Sequence, residues 1–161
     1  MARPAMEDAF LAWSAVAYTA MVGEAGLTAL IAKNAADPSN NTPAVLSEVT
    51  KNQPFPYVTI GQFESVPFRT HSRPGEELEW HVGIYTQDDD AASGDTVGLT
   101  ISEEVKKLFG DVRHDAYSVT GFDFIASWYD RMDIVKEEDD AGVVTRHFDV
   151  AFRIRMLQDT T

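Results

Sequence analysis

Four histidines, His71, His81, His114 and His147, are the side chains best suited to hold a metal or move a proton near neutral pH. No two of them fall at the HxxxH spacing of a helix pair or the HxH spacing of a strand pair, so no metal site is written locally. Asp88-Asp89-Asp90, followed by Gly94 and Asp95, has the outline of a calcium loop. An EF-hand counted from Asp88 needs Gly at its sixth position and Glu at its twelfth, where this chain has Ser93 and Leu99, so a solvated acidic turn is the better reading. Ser72 follows His71, but there is no GxSxG elbow, no Walker A loop and no GxGxxG fingerprint. With no cysteine, disulfides, thiolate metal sites and cysteine nucleophiles are excluded. Carboxylates are plentiful because the whole chain is acidic, and most of them fall at turns. No catalytic, cofactor-binding or metal-binding residue is assigned, and the expectation is a protein that is not an enzyme.

Composition agrees with a structural role. At 161 residues and 44% hydrophobic, the chain has material for one core, so a single domain over residues 1–161 is expected. Asp and Glu number 26 against 13 Lys and Arg, a formal net charge of -13. Such a surface repels phosphate backbones and anionic membranes, and lets DNA pass without sticking. The apolar stretch from Phe10 to Val22 is too short to span a bilayer, and Glu7 and Asp8 stand where a signal peptide would be basic. It reads instead as an amphipathic helix.

The elements that would position any site follow from periodicity. Met6, Phe10, Trp13, Ala17 and Met21 line one face of a helix over Met6–Val22, and Leu27, Leu30 and Ile31 suggest a short second one. Asn34 to Pro56 is a long proline-rich loop in which Val45, Leu46 and Val49 could dock on a partner or on the chain's own core. Strands are predicted over Tyr57–Phe63 and Glu77–Thr86, with Pro67 and Pro74 fencing off the connection between them. A helix follows, with Asp95 as N-cap, Val97, Ile101, Val105 and Leu108 as its buried stripe, and Gly110 as its stop. Three more strands are predicted: Tyr117–Val119, Phe122–Val135 and Phe148–Met156. A hairpin tip lies at 136–142, where Asp140 to Gly142 supply the turn. The order indicates an α+β fold, with a mainly antiparallel sheet, a long C-terminal hairpin and helices on one face.

Alternation places Trp80, Phe124, Trp128 and Phe152 in the core, and Tyr85, Tyr129, Arg153 and Arg155 on opposite faces. Aromatic and Arg side chains facing outward fit a protein interface, and strand propensity alone would also produce them. A protruding hairpin and an exposed sheet edge are further means of association.

One combination is more specific. An N-terminal helix and proline-rich loop lead into Pro56-Tyr57-Val58-Thr59-Ile60-Gly61. Then come Thr70-His71-Ser72, Glu79-Trp80-His81-Val82, a helix from Asp95, and a long hairpin into Arg146-His147-Phe148-Asp149-Val150-Ala151-Phe152-Arg153-Ile154. From about Ala9 to Leu157 this resembles the tail-terminator (tail-completion, head-to-tail joining) proteins of long-tailed phages and gene transfer agents. The loop from Asn34 to Gln53 is longer than that family leads one to expect. The resemblance implies a structural virion protein of the tail or neck, assembled in the host cytoplasm. It would form a homo-oligomeric ring, hexameric in that family, that caps the tail tube and stops its polymerisation. Its partners would be the tail-tube protein and a neck or head-completion protein, with DNA passing through the lumen unbound. Ring or partner contacts are then expected at Tyr85, Tyr129, Arg131, Arg146, Arg153, Arg155, Val45 and Leu46. Asp88, Asp89, Asp90, Glu137, Glu138, Asp139 and Asp140 become candidates for the lumen. Another neck or tail component, such as a head-tail stopper or tube-related protein, and a small binding module or enzyme remain as alternatives.

Overall fold

Apolar residues at every second position in the two central strands set the architecture. The computed structural model describes residues 6–70, 72–88 and 93–159, without the side chains of residues 6–8 and 68. Its elements are α1 (Met6–Val22), α2 (Ala25–Thr28), β1 (Val45–Leu46), β2 (Tyr57–Arg69), β3 (Pro74–Gln87), α3 (Gly94–Phe109), β4 (Asp111–Arg113), β5 (Phe122–Glu138) and β6 (Val144–Gln158). They form one six-stranded sheet in the order β1-β2-β3-β6-β5-β4. Only β1 runs parallel to its neighbour. This is the expected α+β fold, closed by the C-terminal hairpin β5–β6.

Leu78, Trp80, Val82 and Ile84 on β3, and Phe148, Val150, Phe152, Ile154 and Met156 on β6, are fully buried on one face of the sheet. Helices α1 and α3 pack there, and α2 adds Leu27 to the same core. From α1 come Ala9, Trp13, Ala17 and Met21, and from α3 Ile101, Val105 and Phe109. Helix α3 lies close to the sheet: a Cβ on Gly98 would fall 2.0 Å from the Phe148 ring. Ser93, not Asp95, caps this helix, because its extended backbone turns Oγ toward the Asp95 N–H at 3.3 Å. Asp95 sits in the first turn, where its charge suits the helix dipole.

Several boundaries differ from the sequence reading. β2 runs on through Pro67 to Arg69, and Pro74 opens β3. The outer side of β2 is a sheet edge beyond Thr59, where a residue lacking an N–H is tolerated. The short strand expected at Tyr117–Val119 lies earlier, at Asp111–Arg113. Val119 makes only an isolated bridge to Phe122 around Gly121, at φ +80°.

The long loop is built onto the sheet. Asp37 accepts hydrogen bonds from the Thr42 hydroxyl at 2.6 Å, the Ser39 hydroxyl at 2.7 Å and both of their backbone N–H groups. These bonds, the Thr42 hydroxyl first, hold its carboxyl well below the usual carboxylate range. Buried Gln53 donates to Lys33 O and Pro54 O and accepts from the Ala35 N–H. Val45 and Leu46 then pair with Val58 and Thr59 of β2 and are 3% and 5% exposed. Their expected role as partner contacts is therefore corrected. Val45 packs into the main core and Leu46 into a smaller cluster with Ala44 and Tyr57, so neither offers surface to a neighbour.

Candidate functional site

The face of the sheet away from the helices carries the most organised surface. Two acids on β3 stand opposite two arginines on β6: Glu77 pairs in register with Arg155, and Glu79 with Arg153. Such directly opposed pairs are the stabilising unit of a sheet face. Arg155 Nη2 donates to Glu77 Oε2 at 2.7 Å, and Arg153 Nη2 lies 3.0 Å from Glu79. From β5, Arg131 reaches Glu79 and Asp130, and Asp130 also meets Arg153 at 3.4 Å. His81 is almost covered, with Nδ1 2.9 Å from Asp149 and Nε2 3.2 Å from Glu79. The hydrogen bond from Arg131, helped by the charges of Arg153 and Arg131, holds the Glu79 carboxyl below its usual range despite burial.

Trp128 belongs to this face, under Arg155 at 5.4 Å. The sequence reading put Trp128 in the core and Tyr129 on the opposite face, and both are corrected. A bulge between Phe124 and Ala126 adds one residue to β5 and reverses the sides of Ala126 to Tyr129, until a second register shift between Tyr129 and Arg131 restores the original alternation. Tyr129 consequently points to the helix side, against Phe152, with Lys106 Nζ 4.5 Å over its ring.

Toward the hairpin the same face becomes aromatic. Tyr85 is sandwiched between Tyr57 at 4.9 Å and His147 at 4.3 Å, both nearly parallel to it. Burial pushes the Tyr57 and Tyr85 phenols up and holds the His147 imidazole down, the latter against the opposing pull of Asp149 and Glu137. The sign of the consequence is fixed. Below the ordinary histidine value of 6.5 the unfolded chain binds a proton that native His147 refuses, so unfolding free energy falls as pH drops, until the native ring protonates too. Melting temperature is therefore expected to fall as pH is lowered through the ordinary histidine value of 6.5, and His147→Phe, which keeps a ring against Tyr85, to flatten that decline. An unchanged slope in the variant contradicts the assignment.

The remaining expected site residues separate into three groups. Arg146 is 5% exposed on the helix side and bridges Asp88 and Asp95. Its Nε is 2.7 Å from Asp95 but off the line of a hydrogen bond. It ties β6 to the start of α3 and leaves nothing for a neighbour. Asp88 is engaged likewise: it accepts from the Gly94 N–H at 2.7 Å and from Arg146, and these bonds lower its pKa. Asp89 and Asp90 lie outside the described residues. Glu137, Glu138, Asp139 and Asp140 stand exposed at the hairpin tip. Asp139 also builds the turn, accepting from the Ala141 and Val143 N–H groups at 2.9 Å, while Gly142 supplies φ +79°. From Asp133 to Glu138 every residue of β5 is exposed, so the hairpin extends past the core.

Glu77, Glu79, Asp130 and Asp149 are not among the site residues expected from the sequence, and His81 and Trp128 are read there only as a histidine without a metal partner and as a core residue. The signal was there: acids two apart on one strand and arginines two apart on another pair off once the strands are neighbours. Among the described residues, no three His, Asp or Glu side chains gather as a metal site. No helix among them is long and apolar enough to cross a membrane.

No protein-family model matches this chain, and no curated protein matches it in sequence. Among solved structures it is similar to a chain of the virion of a native gene transfer agent (GTA) particle. The TM-score is 0.66 at 19% identity, covering 89% of this chain and 92% of that one, a likeness that establishes a shared fold.

Proposed function

We propose that this protein is a structural virion subunit, a tail terminator that closes into a ring on the end of a tail tube and joins it to the head. The observation that carries this reading is the fold shared with a virion chain over nearly the full length of both. The surface supports it. One sheet face is sealed by helices, and the other is an ion-paired plane with an acidic hairpin projecting beyond it. In a ring with the helices outside, the paired face and hairpin line the channel, where net negative charge keeps DNA from lodging.

Capping tests the function. Purified protein added to elongating tail tubes is expected to arrest growth and leave density on one end of each tube. Tubes that lengthen unaffected contradict the terminator role. The lumen assignment is tested by replacing Glu137, Glu138 and Asp140 with Lys, leaving Asp139 to hold the turn. DNA release from assembled particles is then expected to slow, more so at low ionic strength, because Lys recruits phosphate. Unchanged release kinetics contradict the placement of the hairpin in the channel.

A further inference from the structure

We propose that copies of this chain join edge to edge, the open stretch of β2 in one copy pairing antiparallel with the open stretch of β5 in the next. This rests on the ring reading and names the surfaces that build the ring. β1 covers β2 only at Val58 and Thr59, and β4 covers β5 only from Ala126 to Trp128. Among the described residues, Gln62–Arg69 and Arg131–Glu138 therefore have an inner strand neighbour and no outer one. Long open edges are normally shortened, bulged or covered. Here three of the exposed large apolar side chains lie on these two stretches: Val66 at 58%, Ile134 at 49% and Val135 at 52%. The stretches occupy opposite edges of one sheet, so each copy offers one of each, as a head-to-tail ring contact requires.

Register follows from pleat and charge. Opposed residues must share a face. Ser65 and Ile134 lie on the helix side, level with Leu78 and Phe148, while Val66 and Asp133 lie on the other, level with Glu77 and Asp149. Setting Ser65 opposite Ile134 puts Val66 opposite Asp133 and Glu64 opposite Val135, with no like charges facing. A slide of two residues in either direction sets Glu64 against Glu137 or against Asp133, which is destabilising. A slide of four shortens the overlap or runs into the bulge before Arg131. Pro67 lacks an N–H and costs the new ladder at most one bond.

The same register gives a geometry that closes. Val66 is level with Glu77 on β3, and Asp133 is level, through Asp149, with Gly83. From 77 to 83 is six residues, so successive copies are staggered by about 20 Å along the strands. Each copy contributes four long strands, about 19 Å across. The resulting tilt is about 45°, at the upper end of the range for closed barrels.

The absence of native cysteine makes cross-linking a clean test. Directly opposed residues in antiparallel strands have the Cα spacing a disulfide needs. Within one copy β2 and β5 are separated by β3 and β6, about 14 Å in all, so the bond can form only between copies. Two double variants are made, Ser65→Cys with Ile134→Cys and Val66→Cys with Asp133→Cys, alongside the single variants. They are oxidised at high concentration and read by non-reducing electrophoresis and electron microscopy. Rings together with a ladder of covalent oligomers, seen only in the double variants, are the expected result. Rings with neither double variant cross-linked overturn the edge pairing and leave the proposed function standing. Neither rings nor cross-links, with tail tubes present, overturn both.

Discussion

Trp13→Ala is expected to lower the unfolding free energy by about 3–5 kcal/mol, the range for removing a large buried aromatic. Trp13 is fully buried at the point where α1 crosses the sheet. Its ring meets Trp80 of β3 at 5.6 Å, and Phe109 of α3, Tyr117 of the following turn and Phe124 of β5 each at 5.7 Å. Four separate parts of the fold share this one side chain, so the cavity cannot close by moving any one of them. Urea unfolding followed by far-ultraviolet circular dichroism measures the loss. A change below about 1 kcal/mol would mean that α1 contributes little to the core.

Arg146→Ala is the second large expected effect, about 2–3 kcal/mol; a fully buried pair would cost 3–5, and Asp88 and Asp95 are each partly exposed. The guanidinium fastens β6 to the segment that leads from β3 into α3. Next to it, the Thr86 hydroxyl donates to Gly94 O at 2.9 Å. Its loss is expected to loosen the start of α3, so hydrogen exchange should quicken in Gly94–Ile101 before the rest of the helix. Destabilisation spread evenly over the sheet, with α3 protection unchanged, contradicts this role. Arg146→Lys restores charge but not the two-sided reach of a guanidinium, and partial recovery is expected.

The fold class, α1, α3 and the C-terminal hairpin were legible because each rests on a sustained period. Ala17 and Met21 follow Trp13 at helical spacing, and Phe148 to Met156 alternate without interruption. The face of Trp128 and Tyr129 was not legible, because a β-bulge leaves no mark in the hydrophobic pattern and inverts the side chains that follow it, here up to the second register shift between Tyr129 and Arg131. Strand β1 was hidden inside a proline-rich loop because two residues carry no period of their own. The surface was half legible. Arg153 and Arg155 are outward-facing by alternation and Arg131 is an expected ring contact, and the structure brings the three together around Glu77 and Glu79. Their partners Glu77 and Glu79 were passed over because the pairing of β3 with β6 comes from topology, across more than seventy residues of chain. Arg146 looked like its neighbours in sequence and differs only in side, since it falls on the helix face of the same strand.

The proposed role requires this subunit to work as a closed ring. Negative-stain electron microscopy with rotational analysis, on the purified protein at high concentration and again on tail tubes incubated with it, tests this most directly. Closed rings of a single rotational symmetry, with a channel wide enough for duplex DNA, are the expected result in one or both samples. A protein that stays monomeric alone and leaves every tube end bare would contradict it.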